Sequence, residues 1–143
     1  MESLKLENQL CFPIYALSRQ ITAIYRPHLE LIELTYPQYL VMLVLWQKET
    51  VTVKELGKLL WLDSGTLTPL LKRMEENKLL SRNRSETDER VVNILISGKG
   101  KALKEQALAI PDAIKNALAT DEDQLFSLRD QLKQILSLTT ENK

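Results

Sequence analysis

The chain is poor in the residues that build metal sites, disulfides and flexible linkers. Its 143 residues include one cysteine, one histidine and four glycines. A single cysteine closes no disulfide within the chain, which fits a reducing compartment. The lone His28 assembles neither a zinc ligand set nor a hydrolytic triad. No metal and no cofactor is therefore expected. Low-complexity stretches and internal repeats are missing too. No apolar run approaches the roughly 18 residues of a membrane helix. The first seven residues carry acids where a secretory signal carries a basic end. These absences point to a soluble, cytoplasmic protein. Neither sign of charge is in excess, because 19 Lys and Arg face 19 Asp and Glu. That disfavours a nonspecific nucleic-acid coat and leaves a local reader open.

What is present concentrates between Thr52 and Ile96. Thr52-Val53-Lys54-Glu55 has the form of a capping box, threonine taking one free amide and glutamate reaching back to another. Leu56, Leu59 and Leu60 then give a short helix one apolar face. Asp63-Ser64-Gly65 breaks it and caps a second helix with Leu67, Leu70, Leu71 and Met74 inward. Ser64, Gly65, Thr66, Thr68, Lys72 and Arg73 fall on its other face. A short helix, a tight turn and a second helix with hydroxyls and cations outward is the plan of a helix-turn-helix reader of double-stranded DNA. Its charge count of eight Lys and Arg against seven Asp and Glu leaves binding to depend on where the cations sit.

Behind that helix, Leu79–Arg84 and Val91–Ile96 read as two antiparallel strands around the polar loop 85–90. Alone, such a loop is a solvated turn; behind a recognition-type helix it reads as a wing. Arg90 then suits a narrow minor groove, Asp88 suits holding that guanidinium, and Arg82 and Arg84 suit phosphates.

The remainder reads as helix. A helical apolar stripe runs through Leu6, Leu10, Ile14, Leu17, Ile21 and Ile24, interrupted by Pro13 and Pro27. Thr35-Tyr36-Pro37 opens a nearly all-apolar helix. A long helix is expected from about Lys101 with a bend at Pro111, and a last one with a seam of Leu125, Leu128, Leu132, Ile135 and Leu136. Trp46 and Trp61 are expected in the core. The fold class is therefore mainly α with a small β-hairpin wing. It forms a single domain over 1–143, with a winged helix-turn-helix lobe at about 37–97 and dimerisation helices at about 5–34 and 101–140. The two ends carry more apolar surface than so small a lobe covers, so a symmetric homodimer is expected.

Two sets of residues carry a family resemblance. Residues 63–75, with Arg84-Ser85-Glu86-Thr87-Asp88-Glu89-Arg90, resemble the MarR family of bacterial transcription regulators, the Asp-x-Arg of the wing above all. Leu6-Glu7-Asn8-Gln9-Leu10-Cys11-Phe12, with Leu34-Thr35-Tyr36-Pro37-Gln38-Tyr39-Leu40, resembles the one-cysteine organic hydroperoxide resistance regulators within it. The likeness runs from about Lys5 to Pro111. It implies a homodimeric repressor, not an enzyme, that leaves a pseudo-palindromic operator when a peroxide oxidises Cys11. It also implies that Tyr25 and Tyr36, with Tyr15 close by, are the hydroxyl partners of the thiol, supplied to each cysteine by the other subunit.

Cys11, Tyr15, Ser18, Thr22 and Tyr25 share one helical face. Yet Tyr25 lies fourteen residues past Cys11, roughly 21 Å along a straight helix. The two meet only if the chain folds back sharply or a partner supplies the tyrosine. Pro13 either opens a helix beside Cys11 or kinks a continuous one. With no second cysteine, the thiol that resolves an oxidised Cys11 comes from a small cellular molecule. A lone cysteine on an apolar helix is otherwise an inert hydrophobe. The rival readings are a MarR-type repressor gated by a small aromatic ligand and, behind it, a thiol peroxidase.

Overall fold

The computed structural model describes residues 1–141, in two compact units, residues 1–108 and those from Ala109 on. The first unit opens with two 3-10 turns, Glu2–Leu4 and Leu6–Asn8, pinned by side-chain amides. Asn8 donates to the Glu2 carbonyl at 2.7 Å and Gln9 to that of Ser3 at 2.7 Å. Helix α1 then runs unbroken over Cys11–Glu30. Pro13 stands in its first turn, where the missing amide had no intrahelical acceptor anyway. Of the two readings of Pro13, the helix start is the one observed.

Helix α2 (Tyr36–Lys48) starts on a full capping box. The Gln38 amide donates to Thr35 Oγ1 at 3.4 Å, and the Thr35 amide donates to Gln38 Oε1 at 2.9 Å. Its apolar sequence puts it at the centre, with Tyr39, Val41, Met42 and Leu45 buried. Strand β1 (Thr50–Thr52) follows, then α3 (Val53–Leu60) and α4 (Ser64–Glu76). The wing is β2 (Leu80–Arg84) and β3 (Val92–Ile96), and α5 (Gly98–Ala107) closes the unit. The sheet order is β1-β3-β2, antiparallel throughout, so the expected hairpin has a third strand. Val51 pairs Ile94, and Leu80 pairs Ile96. Ile94 and Ile96 point into the core while Leu95 points out, the alternation of a half-buried strand.

Several local expectations are corrected. Helix α5 begins at Gly98 instead of Lys101, because the Ser97 hydroxyl caps it by accepting from the Gly100 amide at 3.0 Å. Gly100 is buried, and a Cβ there would collide with the Leu79 carbonyl and come within 2.9 Å of Ile96, so only glycine lets α5 lie this close. Trp61 is not core. It ends α3 in the left-handed conformation at φ 57° and is 47% exposed. Leu59 is likewise exposed, and only Leu56 of the three leucines of α3 is fully buried. The expected long helix bent at Pro111 is two helices, α5 and α6 (Ile110–Leu118), with Pro111 in the first turn of α6, and the expected last helix is α7 (Glu122–Glu141). Among the described residues no helix is long and apolar enough to cross a membrane.

Candidate functional site

The candidate side chains fall in two sets, one on the helix-turn-helix and wing, the other on α1 and the start of α2. Asp63 fixes where α4 begins, since its Oδ1 accepts from the Thr66 amide at 2.7 Å. Hydrogen bonds from Thr66 hold its carboxyl below the usual aspartate range. Ser64, Gly65, Thr66, Thr68, Lys72 and Arg73 are all exposed on this helix, opposite buried Leu67, Leu71 and Met74. Thr68 turns its hydroxyl back to the Ser64 carbonyl at 2.8 Å, which leaves its methyl as the outward group. Lys72 and Arg73 enter no ion pair among the described residues.

The wing is braced at its tip. The Ser85 amide donates to the Val91 carbonyl at 2.8 Å and Val91 to that of Asp88 at 3.0 Å, closing the loop. Arg90 Nε donates to Asp88 Oδ1 at 3.1 Å and its Nη2 to Oδ2 at 3.3 Å, and that guanidinium lowers the Asp88 pKa. The Arg90 side chain is still 91% exposed, so it is aimed without being covered. Arg84 donates to the Glu89 carbonyl at 3.0 Å.

Arg82 is used otherwise than expected. Its amide, Nε and Nη2 all donate to Glu75, at 2.9, 3.0 and 2.9 Å. This fork clamps β2 to α4, keeps the Glu75 carboxyl below its usual range, and commits the guanidinium inside the lobe. The sequence carried a signal for it, an acid on a helix face seven residues before an arginine in the adjoining strand, but nothing fixed the register.

Between α3, α4 and the wing lies a groove of about 740 Å³. Its charged lining is Lys54, Lys58, Arg82, Arg84 and Arg90, with no carboxylate, over a floor that includes Leu67 and Leu71. Lys54 and Lys58 were not singled out from the sequence. Their spacing of four on a capped helix, opposite Leu56, was the available clue. A nearly neutral segment thus folds into a surface with five of its eight cations gathered on one concave side.

The second set begins with Cys11, exposed in the first turn of α1. Tyr15 is one turn on and also exposed, with the Arg19 guanidinium 4.7 Å from its ring centroid. Tyr25 is on the same helix, whose continuity keeps it away from its own Cys11. Tyr25 packs instead on α2, 5.0 Å from Tyr36 and 5.8 Å from Tyr39, ring centre to ring centre. Burial, with Tyr36 and Tyr39 adding to it, pushes the Tyr25 pKa up to about 12. The Tyr36 hydroxyl is also raised by burial. Both stay protonated donors at neutral pH. Neither hydroxyl bonds to a protein group among the described residues, and neither is sealed from the surface.

Comparison with known proteins agrees with this architecture. The family of the transcriptional regulator SarA/Rot matches residues 23–107. The organic hydroperoxide resistance transcriptional regulator of Bacillus subtilis is 50% identical over 94% of this chain and 92% of its own. AbfR of Staphylococcus epidermidis, reduced and bound to DNA, superposes with a TM-score of 0.78 at 35% identity, over 99% of both chains. Its disulfide form gives 0.65 at 35% identity, over 94% of this chain and 95% of that one. A MarR variant from E. coli, complexed with operator DNA, shares the fold at a TM-score of 0.79 and 22% identity, over 89% and 93% of the two chains. The chain belongs to the MarR-type winged-helix transcriptional regulators, in the group of the SarA/Rot and organic hydroperoxide resistance regulators.

Proposed function

We propose that this chain is a cytoplasmic, homodimeric repressor that leaves its operator when an organic hydroperoxide oxidises Cys11. The observation that carries the reading is the unbroken α1. Cys11 is exposed, the hydroxyls of half-buried Tyr25 and Tyr36 have no bonding partner among the described residues of their own subunit, and α1 holds Tyr25, with Tyr36 packed on it, far from its own Cys11. A second copy brings them together. The residues that would cover such an interface are available. Leu6 is 60%, Leu10 69%, Ile14 44% and Leu17 43% exposed in a single chain. A contiguous apolar patch of that kind marks an association surface. On α7, Leu128, Leu132, Ile135 and Leu136 are also exposed, which supports dimerisation helices at both ends of the chain.

The chemistry follows from the groups. The Cys11 thiolate attacks one peroxide oxygen, the O–O bond breaks, and the alkoxide leaves as an alcohol after taking a proton. Cys11 becomes a sulfenic acid. A small cellular thiol then condenses with it, water leaves, and a mixed disulfide remains. Tyrosine hydroxyls from the partner stabilise the thiolate before attack. Their bonds are lost and bulk is gained afterwards, which strains the interface and moves the two reading lobes.

On DNA, Ser64, Gly65, Thr66 and Thr68 meet base edges and backbone in the major groove, and Lys72, Arg73 and Arg84 meet phosphates. Arg90, aimed by Asp88, enters the minor groove. Arg82 acts through the Glu75 clamp, and Lys54 and Lys58 join the phosphate contacts. The test is a mobility-shift titration on the DNA upstream of the chain's own gene, with and without organic hydroperoxide. Wild type releases the DNA on treatment and Cys11→Ser holds it. Equal release by Cys11→Ser overturns the reading.

A further inference from the structure

The tyrosine pair is one end of a longer aromatic array. Tyr39 lies 5.8 Å from Tyr25 and 6.4 Å from Tyr36, and is 3% exposed. On its other side the Trp46 ring meets it edge-on at 6.1 Å. Tyr36, Tyr39 and Trp46 occupy one stripe of α2, so the array runs along that helix from the α1 corner toward α5. Trp46 Nε1 donates to the Gly100 carbonyl at 2.9 Å.

Gly100 is where α5 touches the root of the wing. Its Cα faces the Leu79 carbonyl too closely for any side chain. Its amide donates to Ser97 Oγ at 3.0 Å, that hydroxyl donates to the Lys78 carbonyl at 2.6 Å, and the Ser97 amide donates to the Leu79 carbonyl at 3.0 Å. Lys78 and Leu79 lead directly into β2, which Arg82 clamps to α4. Rings packed tilted and edge-on around a buried Tyr39 do not yield gradually. They keep their packing or change it as a unit.

We propose that Tyr39 and Trp46 are positioning residues that couple Tyr25 and Tyr36 to the base of the wing through the Trp46–Gly100 hydrogen bond. This rests on the redox reading above, in which oxidation of Cys11 withdraws a partner from the Tyr25 and Tyr36 hydroxyls. Rearrangement of those rings displaces Tyr39, then Trp46. Gly100 and Ser97 follow, carrying Lys78 and Leu79, and the spacing between α4 and the wing changes.

The test compares operator affinity of the full-length reduced and hydroperoxide-treated protein, with Cys11 oxidation counted by intact mass. Trp46→Phe keeps an aromatic ring and removes the N–H. It is expected to bind operator normally when reduced and to oxidise Cys11 at the wild-type rate. Its loss of affinity on oxidation is expected to be about tenfold smaller than that of wild type, within the usual span of coupling between sites. Tyr39→Leu is expected to behave alike, and Tyr39→Phe, which restores the ring, like wild type.

Equal release by oxidised Trp46→Phe and wild type overturns this proposal alone. A wild type that keeps its operator with Cys11 oxidised overturns the redox reading and this proposal with it. Hydrogen exchange on wild type keeps the question decidable if a variant fails to fold. Oxidation is expected to speed exchange at the amides of Leu79, Ser97 and Gly100, and unchanged exchange there overturns the proposal.

Discussion

The helix-turn-helix with its wing and the N-terminal half of α1 solve the same problem of apolar surface in opposite ways. In the first, most of the apolar surface finds a partner inside the subunit, with Leu59, Trp61 and Leu95 left outside. Leu56, Leu67, Leu71, Met74, Ile94 and Ile96 are all buried, and polar cross-ties hold the pieces in register. Arg82 ties strand to helix, Ser97 ties strand to turn, and Thr52 and Asp63 cap the two helices. In the second, Leu10, Ile14 and Leu17 stay open although their spacing is as regular as any in the chain. The reading lobe buries its core in one copy, while in the homodimer proposed above the open face of α1 is one half of an interface.

The sharpest way to break the contrast is to charge the open half. A Leu10→Glu, Ile14→Glu double variant is expected to run as a monomer in analytical ultracentrifugation. Its operator affinity should fall about a hundredfold or more, since two linked half-sites bind far tighter than one. Its far-UV circular dichroism is expected to retain the helical signal of the lobe. A dimer that survives both charges would place the interface elsewhere.

Charging the closed half is unnecessary, because one methyl suffices. Gly100→Ala drives a Cβ into the Leu79 carbonyl. It is expected to destabilise the lobe by about 1–3 kcal/mol in urea denaturation, in the range of overpacked sites. A smaller loss is expected from Thr52→Ala, about 1 kcal/mol, because the Glu55 amide loses the cap that now accepts from it at 3.1 Å.

The tyrosine corner gives the smallest and most local effect. Burial keeps Tyr25 protonated up to about pH 12 in the folded chain, whereas a free tyrosine ionises near pH 10. The folded state therefore holds its full advantage below about pH 10 and loses it as pH rises through about 12. Ultraviolet titration of tyrosinate should show a late-ionising group that Tyr25→Phe removes.

Much of the reader was legible because its signals are local. Asp63 before Ser64, Thr35 before Pro37 and the alternation along β3 each act within a few residues, where the chain has little choice. Glu55 shows the limit of such reasoning. Its place in a capping box was evident, yet its carboxylate turns to Lys48 at 2.9 Å, a partner brought near only by the corner between α2 and α3. Strand β1 escaped notice for a related reason. Three residues carry no periodicity, and only the edge offered by β3 makes them a strand. Trp61 looked like core because leucines flank it, but the left-handed turn that ends α3 swings it outward.

The amino-acid sequence by itself determined where the recognition helix begins, which face it turns outward, and that the one thiol stands apart from Tyr25 along the chain. Caps, periodicity and spacing are properties of neighbours, so a linear reading captures them. Only the tertiary structure decided that five cations share one groove, that Arg82 serves Glu75, and that the Trp46 indole N–H donates a hydrogen bond to the Gly100 carbonyl. Each of those joins residues far apart in the chain, and their contact depends on how helices and sheet pack.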